Sequence, residues 1–347
     1  AWLFKNLRAK QQAKAAMAAV LMSSIIGALM AFAGFGYWSL ATQGLVYVLI
    51  NTVLVWHYSQ WRPTVSGITF GPVRRMFRFS FKILATSITT IINNQVLNIL
   101  LGRYFGKTQA GVYNQAYQWN FKCFSLVQNM VNQVAQPVLV DLNADGGRQL
   151  NALRKMMRFT AFISFPLLLG FGLVAKEFIV LAITEKWLES ARLIQLLCIS
   201  GAVIPLSTLL SNLIISKGKS DLYLWCTLCL GLAQILIMVV IYPYGVSTMV
   251  VAYVLLNAAW LFVWHFFVWR LTGYNVLSFL KDIVPFALAA AAVMTLTGIA
   301  TQTIINLWLL LLSRIVLAAV LYYAVMKVAR VQILKECEQF VLSKIRK

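Results

Sequence analysis

The residues of this chain best equipped for chemistry are amides. Residues 89–102 read TTIINNQVLNILLG, an apolar run that nevertheless holds Asn93, Asn94, Gln95 and Asn98. At 100° per residue, Thr86, Ser87, Thr90, Asn93, Asn94 and Asn98 share an arc of roughly 140°, with Gln95 outside it. A second run is more regular. Gln115, Gln118, Lys122, Ser125, Asn129, Asn132 and Gln136 alternate spacings of three and four, the rhythm of one helical face. Asn114 and Gln133 fall beside this stripe, and Phe121, Phe124, Val127, Val131 and Val134 take the other side. Amides and an ammonium placed in hydrocarbon are costly unless they find partners or water. Two readings follow. The stripes bond neighbouring helices together, or they wall a hydrated, net positive cavity whose cargo is anionic and hydroxyl-rich. On the second reading the stripe on residues 115–136 faces the inside of a helical bundle, with Phe121, Phe124 and Val131 turned to lipid or to other helices. Lys122, near its middle, then meets the anion.

The elements that must carry these residues follow from composition. The 347 residues are 61% hydrophobic and 11% charged, with a mean hydropathy of +0.79. A soluble domain is about 25% charged, and no soluble fold of this length buries so much apolar surface. Stretches long enough to span a bilayer recur at roughly 16–35, 37–57, 80–101, 110–137, 159–176, 192–215, 222–242, 246–268, 283–301 and 307–327. The expected class is an all-α integral membrane protein with about ten transmembrane helices.

The net charge of +21 does not point to nucleic acid. With the first span leaving the cytoplasm, the inner side takes Lys5, Arg8, Lys10 and Lys14, then Arg62, Arg74, Arg75, Arg78 and Lys82, then Arg148, Arg154, Lys155 and Arg158. The outer side takes Arg103, Lys107, Lys176, Lys186 and Arg192. This is the positive-inside bias, and it predicts that both termini of the chain are cytoplasmic. The basic amphipathic tail KVARVQILKECEQFVLSKIRK is expected to lie on anionic lipid headgroups. The chain opens on Ala1 and reads as a piece lacking its natural start.

Several motifs imitate sites. GRYFGKT, from Gly102 to Thr108, has three residues between its glycines where a phosphate-binding loop has four, and a membrane span precedes it. CTLC, from Cys226 to Cys229, has redox spacing but lies within a span, and the five cysteines read as small apolar residues. The two histidines, His57 and His265, sit near span ends. No catalytic residue, metal site or cofactor is expected. Glu177, Glu185 and Glu189 alternate with Lys176 and Lys186 and read as a solvated interfacial segment. Arg314, in WLLLLSRIVLAAV, either snorkels, pairs across helices or lines a groove for a lipid head. Pro137, Pro166, Pro205 and Pro285 in or beside spans permit kinks or hinges.

AGFGYWSLATQGL from Ala33, WRP from Trp61, FRFSFKILATS from Phe77 and LGRYFGKTQAGVYNQAYQW from Leu101 occur in this order. The set, with Gly102, Gly106, Gly111 and Tyr113, resembles the polysaccharide exporters of the multidrug/oligosaccharidyl-lipid/polysaccharide superfamily, and among them Wzx-like O-antigen translocases. The resemblance implies two pseudo-symmetric bundles of six helices around a central cavity, a MATE-like architecture. Residues 1–58 would then close an incomplete first bundle, 79–270 form a complete second one, 283–327 an extra helix pair and 328–347 a basic cytoplasmic tail. It further implies an undecaprenyl-diphosphate-linked oligosaccharide as cargo, alternating access across the bacterial inner membrane, and contact with membrane lipids and glycan polymerase or export machinery. A drug/cation antiporter of the same superfamily, which would want a membrane-embedded carboxylate, and a membrane glycan polymerase or ligase are the rival readings.

Overall fold

The computed structural model describes residues 9–59 and 70–345. Lys5, Arg8, Arg62, the WRP motif and the terminal Arg346 and Lys347 lie outside the described residues. Among those described, every regular element is helical: α1 (Ala9–Phe32), α2 (Tyr37–Tyr58), α3 (Phe70–Tyr104), α4 (Gly106–Asp141), α5 (Gly146–Ala182), α6 (Leu188–Ser216), α7 (Ser220–Ile241), α8 (Val246–Thr272), α9 (Val276–Ala300), α10 (Leu307–Val328) and α11 (Gln332–Ile345), with three short 3-10 turns. Nine of these helices are long and apolar enough to cross a membrane. The expected tenth span, α4, is 36 residues long but falls short on hydropathy. Lys107, Lys122 and Asp141 are its charged residues, so its amides rather than its charges make it polar.

The helices end where the sequence supplies the chemistry. The turn between α3 and α4 is closed by Gly106 at φ 84°, a conformation that costs other residues a clash at Cβ. Gly273, left-handed at φ 73°, ends α8. Asp145 caps α5 by accepting from the Arg148 amide at 3.0 Å, and Asn306 caps α10 by accepting from the Trp308 and Leu309 amides. Pro137, Pro166, Pro205 and Pro285 all lie inside helices.

The chain divides into two compact units, Ala1–Met76 and Phe77–Lys347. In the first, α1 and α2 form a hairpin. Ala15, Ala19, Ser23 and Gly27 recur every fourth residue on α1 and are buried. Small residues at this spacing let membrane helices approach closely, where packing rather than hydrophobicity drives association. A Cβ on Gly27 would stand 3.0 Å from Cβ of Gln43.

In the second unit α6 is the central post, packed against α4, α5 and α8. It is apolar or small nearly all the way round, with Ile194, Leu197, Leu206, Leu209, Leu210 and Leu213 fully buried, as a helix enclosed by others requires. The face that α4 turns inward carries Tyr113, Ala116, Phe124, Val127, Val131 and Leu139. Helices α9 and α10 pack on α5 and on each other. The tail helix α11 is anchored to the protein itself. Ile333 and Leu334 are buried, and Glu336 pairs with Lys155 at 2.7 Å while Glu338 accepts from the Tyr323 hydroxyl at 2.6 Å.

Candidate functional site

Two polar surfaces meet on α4. The first is a cavity of about 190 Å³ inside the second unit, walled by α3, α4, α6, α7 and α8. Asn93 and Asn94 of α3, Asn120 and Gln128 of α4, Gln234 of α7 and Asn257 of α8 line it, between the rings of Tyr117, Phe124, Tyr253 and Trp264. Asn93 is buried and donates from Nδ2 to the Thr227 carbonyl at 3.0 Å. Gln128 donates from Nε2 to Thr208 Oγ1 at 3.0 Å. Three buried groups on this wall, Asn120 Oδ1, Gln234 Oε1 and Trp260 Nε1, have no protein partner. A buried amide oxygen left unpaired is costly, so these groups call for water or a polar guest.

Two glycines admit these amides. A Cβ on Gly231 of α7 would collide with the Asn93 side chain, and one on Gly201 of α6 would stand 2.5 Å from Asn120 Oδ1. Each glycine is a notch that lets a neighbouring helix bring an asparagine between backbones. Asn120 and Gln128 were not among the sequence-predicted cavity residues. For Asn120 the signal that could have found it is the pairing of an in-span amide with an in-span glycine on another helix, Gly201.

The second surface is the stripe itself, and here the structure corrects the expectation. Gln118, Lys122, Asn129, Asn132 and Gln136 are exposed on the outside of the bundle, and Gln115 and Ser125 are half-buried. Phe124 and Val131, expected to meet lipid or other helices, are core and pack on other helices, while Phe121 is exposed. The reason is steric. Tyr113, Ala116, Val127 and Val131 give α4 a face that close-packs on its neighbours, and a ridge of long amides cannot. The stripe is not idle. Asn132 Oδ1 accepts from Asn212 Nδ2 at 3.0 Å, Ser125 donates to the Lys122 carbonyl, and the Lys122 ammonium lies 4.0 Å from the centre of the Trp119 ring. Of the predicted α3 residues, Asn93 and Asn94 reach the inner cavity, while Asn98 is half-buried with its Oδ1 unpartnered. The predicted set is therefore split between two faces of one wall.

Arg314 and the buried carboxylates are settled by pairing. Glu177 is buried rather than solvated, and its Oε1 meets Arg314 Nη1 at 2.9 Å. Arg314 also donates to Thr301 Oγ1 and to the Leu173 carbonyl. Of the three readings left open for Arg314, pairing across helices is the one realised. It also borders a cavity of about 600 Å³ between α5, α6, α9 and α10, with Gln195, Thr295 and Gln302. Glu185 and Glu189 are exposed, as the interfacial reading expected. Asp282, which the sequence reading passed over, is also buried and is held by Arg154, Arg158 and Tyr274.

The backbone arrangement resembles that of the lipid II flippase MurJ in its inward closed conformation, with a TM-score of 0.69 over 88% of this chain and 65% of that one. At 13% identity the likeness is one of fold. In sequence, the chain is 26% identical over 192 residues to the lipopolysaccharide biosynthesis protein WzxC of Escherichia coli, covering 54% of this chain and 39% of that protein. It is 25% identical over 232 residues to the succinoglycan biosynthesis transport protein ExoT of Rhizobium meliloti, covering 67% of this chain and 47% of that protein. The chain thus spans less than half the length of these two relatives. The family model described as polysaccharide biosynthesis protein matches residues 1–192, more than half of the chain, in accord with the resemblance carried by Gly102, Gly106, Gly111 and Tyr113: this chain belongs to the polysaccharide biosynthesis protein family.

Proposed function

We propose that the chain is part of a flippase that carries a polyprenyl-diphosphate-linked oligosaccharide across a bacterial inner membrane, both of its termini being cytoplasmic. The observation that carries the reading is the exposed stripe on α4. A membrane-length helix cannot turn Gln118, Lys122, Asn129, Asn132 and Gln136 towards acyl chains without a large penalty. That face therefore meets water or a polar guest, which is what the wall of a passage requires. Amides offer paired donors and acceptors to sugar hydroxyls. Lys122, held at the middle of the stripe by the Trp119 ring, offers charge to a diphosphate through charge-assisted hydrogen bonds. The polyprenyl tail remains in lipid while the head passes along the stripe. The name of ExoT as a transport protein and the fold shared with a lipid II flippase support this reading.

The rival antiporter wants an uncommitted carboxylate within the membrane. Among the described residues the buried carboxylates, Glu177 and Asp282, are each bound to arginine, which favours the anionic cargo. No catalytic role is assigned to any residue.

The test is complementation of a strain lacking its own translocase, using the whole protein at blotted, equal abundance. Lys122→Glu is expected to abolish export, Lys122→Ala to lower it strongly and Lys122→Arg to keep part of it. If Lys122→Glu complements as well as the parent, Lys122 does not meet the cargo and the stripe is a helix-packing surface.

A further inference from the structure

Where α5 meets α9, two arginines converge on one carboxylate. Arg154 Nε lies 2.8 Å from Asp282 Oδ2 and its Nη2 is 3.3 Å from Oδ1. The Tyr274 hydroxyl donates to the same Oδ2 at 2.8 Å. Both oxygens of Asp282 are thereby committed, and its side chain is 4% exposed. Arg158, one turn further along α5, reaches only to 3.6 Å of Oδ1, and its Nε is buried without a hydrogen-bond partner. The rest of its side chain stays accessible, at 39% exposed. Glu336 of α11 does not relieve it, because that carboxylate is taken by the Lys155 ammonium at 2.7 Å. The cluster of Arg154, Arg158 and Asp282 therefore carries one uncompensated positive charge, and Arg158 bears it.

The depth of this charge follows from the charge pattern. α5 is 37 residues long, about 55 Å at 1.5 Å per residue, well beyond the ~30 Å hydrocarbon core. Between Arg158 and Lys176 α5 holds no charged residue, and between Asp282 and Arg314 the chain holds none. Arg158 and Asp282 thus mark the same boundary of the hydrocarbon, on the side where the basic residues gather. We propose that Arg158, held in place by the Arg154–Asp282–Tyr274 clamp, binds the phosphodiester of an anionic phospholipid at the junction of α5 and α9. A monoanionic phosphate meets the accessible part of the Arg158 side chain and cancels the excess charge. Its acyl chains lie beside the apolar lengths of the two helices. A guanidinium suits this task because it is always charged and binds phosphate in a fork. The site is separate from the amide stripe and does not depend on the transport reading.

The test is thermal unfolding of the purified intact protein in neutral detergent, titrated with phosphatidylglycerol, phosphatidylcholine or inorganic phosphate. Phosphatidylglycerol is expected to raise the midpoint saturably and phosphatidylcholine to leave it unchanged. Arg158→Gln should weaken the apparent affinity about tenfold, one charge-assisted bond's worth, and Arg158→Lys should restore part of it. An equal response to both lipids, or an Arg158→Gln protein that responds like the parent, overturns the site. Inorganic phosphate reproducing the whole shift at similar concentration overturns its assignment to a lipid. Should Arg158→Gln not fold, the Arg158→Lys protein and the salt dependence of the parent decide. A phosphatidylglycerol response that added salt does not weaken refutes a site built on this charge.

Discussion

Removing either member of the Glu177–Arg314 pair should cost more than removing both, and removing Arg314 alone should cost most. Glu177 is 4% exposed and Arg314 15%, so each singly mutated protein keeps a charge in a largely water-free place. The two cases differ. In Glu177→Met, Arg314 loses its 2.9 Å partner but keeps Thr301 Oγ1 and the Leu173 carbonyl, and the 600 Å³ cavity beside it admits water. A loss of about 2–3 kcal/mol is expected. In Arg314→Met the carboxylate is left bare, since Glu177 Oε2 already has no partner, and the loss should reach about 3–5 kcal/mol. The Glu177→Met/Arg314→Met protein has no buried charge and gives up only the bonds to Thr301 and Leu173, so it should lie within about 1–2 kcal/mol of the parent. The assay is denaturant unfolding in mixed micelles of the four proteins of the cycle. Losses that simply add in the double variant would refute the account, showing that the two charges do not interact in the folded protein.

Gly231→Ala, placing a methyl against the Asn93 side chain, should destabilise by about 1–3 kcal/mol as overpacking does; pairing it with Asn93→Ala, which vacates the space, should recover most of that in the same unfolding assay. Tyr274→Phe removes one hydrogen bond to Asp282 and should cost about 1–2 kcal/mol, whereas Asp282→Ala, which strands Arg154 and Arg158 together, should cost at least twice as much. For topology, in a background with the five cysteines replaced, a cysteine at Gln302 should react with an impermeant maleimide added from outside and one at Ser220 should not. The opposite pattern would invert the positive-inside assignment.

The number and type of the elements were written in hydropathy and charge, because a bilayer forces every backbone group to pair within its own helix. The ranges 246–268 and 307–327 fall inside α8 and α10 for that reason. What periodicity could not give was the direction of each face. On α4 a polar arc and an aromatic arc both had a claim to the interior, and the rule that polar means inside a membrane bundle chose the wrong one. Close packing decided instead, through Ala116, Val127 and Val131 against α6. The charge pairs were equally hidden. Glu177 and Arg314 are 137 positions apart, and sequence spacing carries no trace of a contact between α5 and α10. Asn120 was overlooked because it stands alone on its face, and its meaning comes from Gly201, a residue on a different helix.

The polar character of α4 bears on how the chain enters the membrane. A helix with amides on two faces and Lys122 at its centre gains little from partitioning by itself, since a central lysine alone weighs about 2.5–3.5 kcal/mol against insertion. It is followed by α5 and α6, whose most apolar stretches reach mean hydropathies of 1.9 and 2.1, and is joined to α3 by the single tight turn at Phe105 and Gly106. During synthesis α4 should therefore pause at the translocon or in the interface until α6 arrives to accept Val127, Val131 and the asparagines. Its residence in the bilayer would be a product of assembly rather than of its own solubility in lipid. Truncations that end before Ser216 should then leave the Val127 and Val131 face of α4 accessible to water-soluble reagents, while those that include α6 should not.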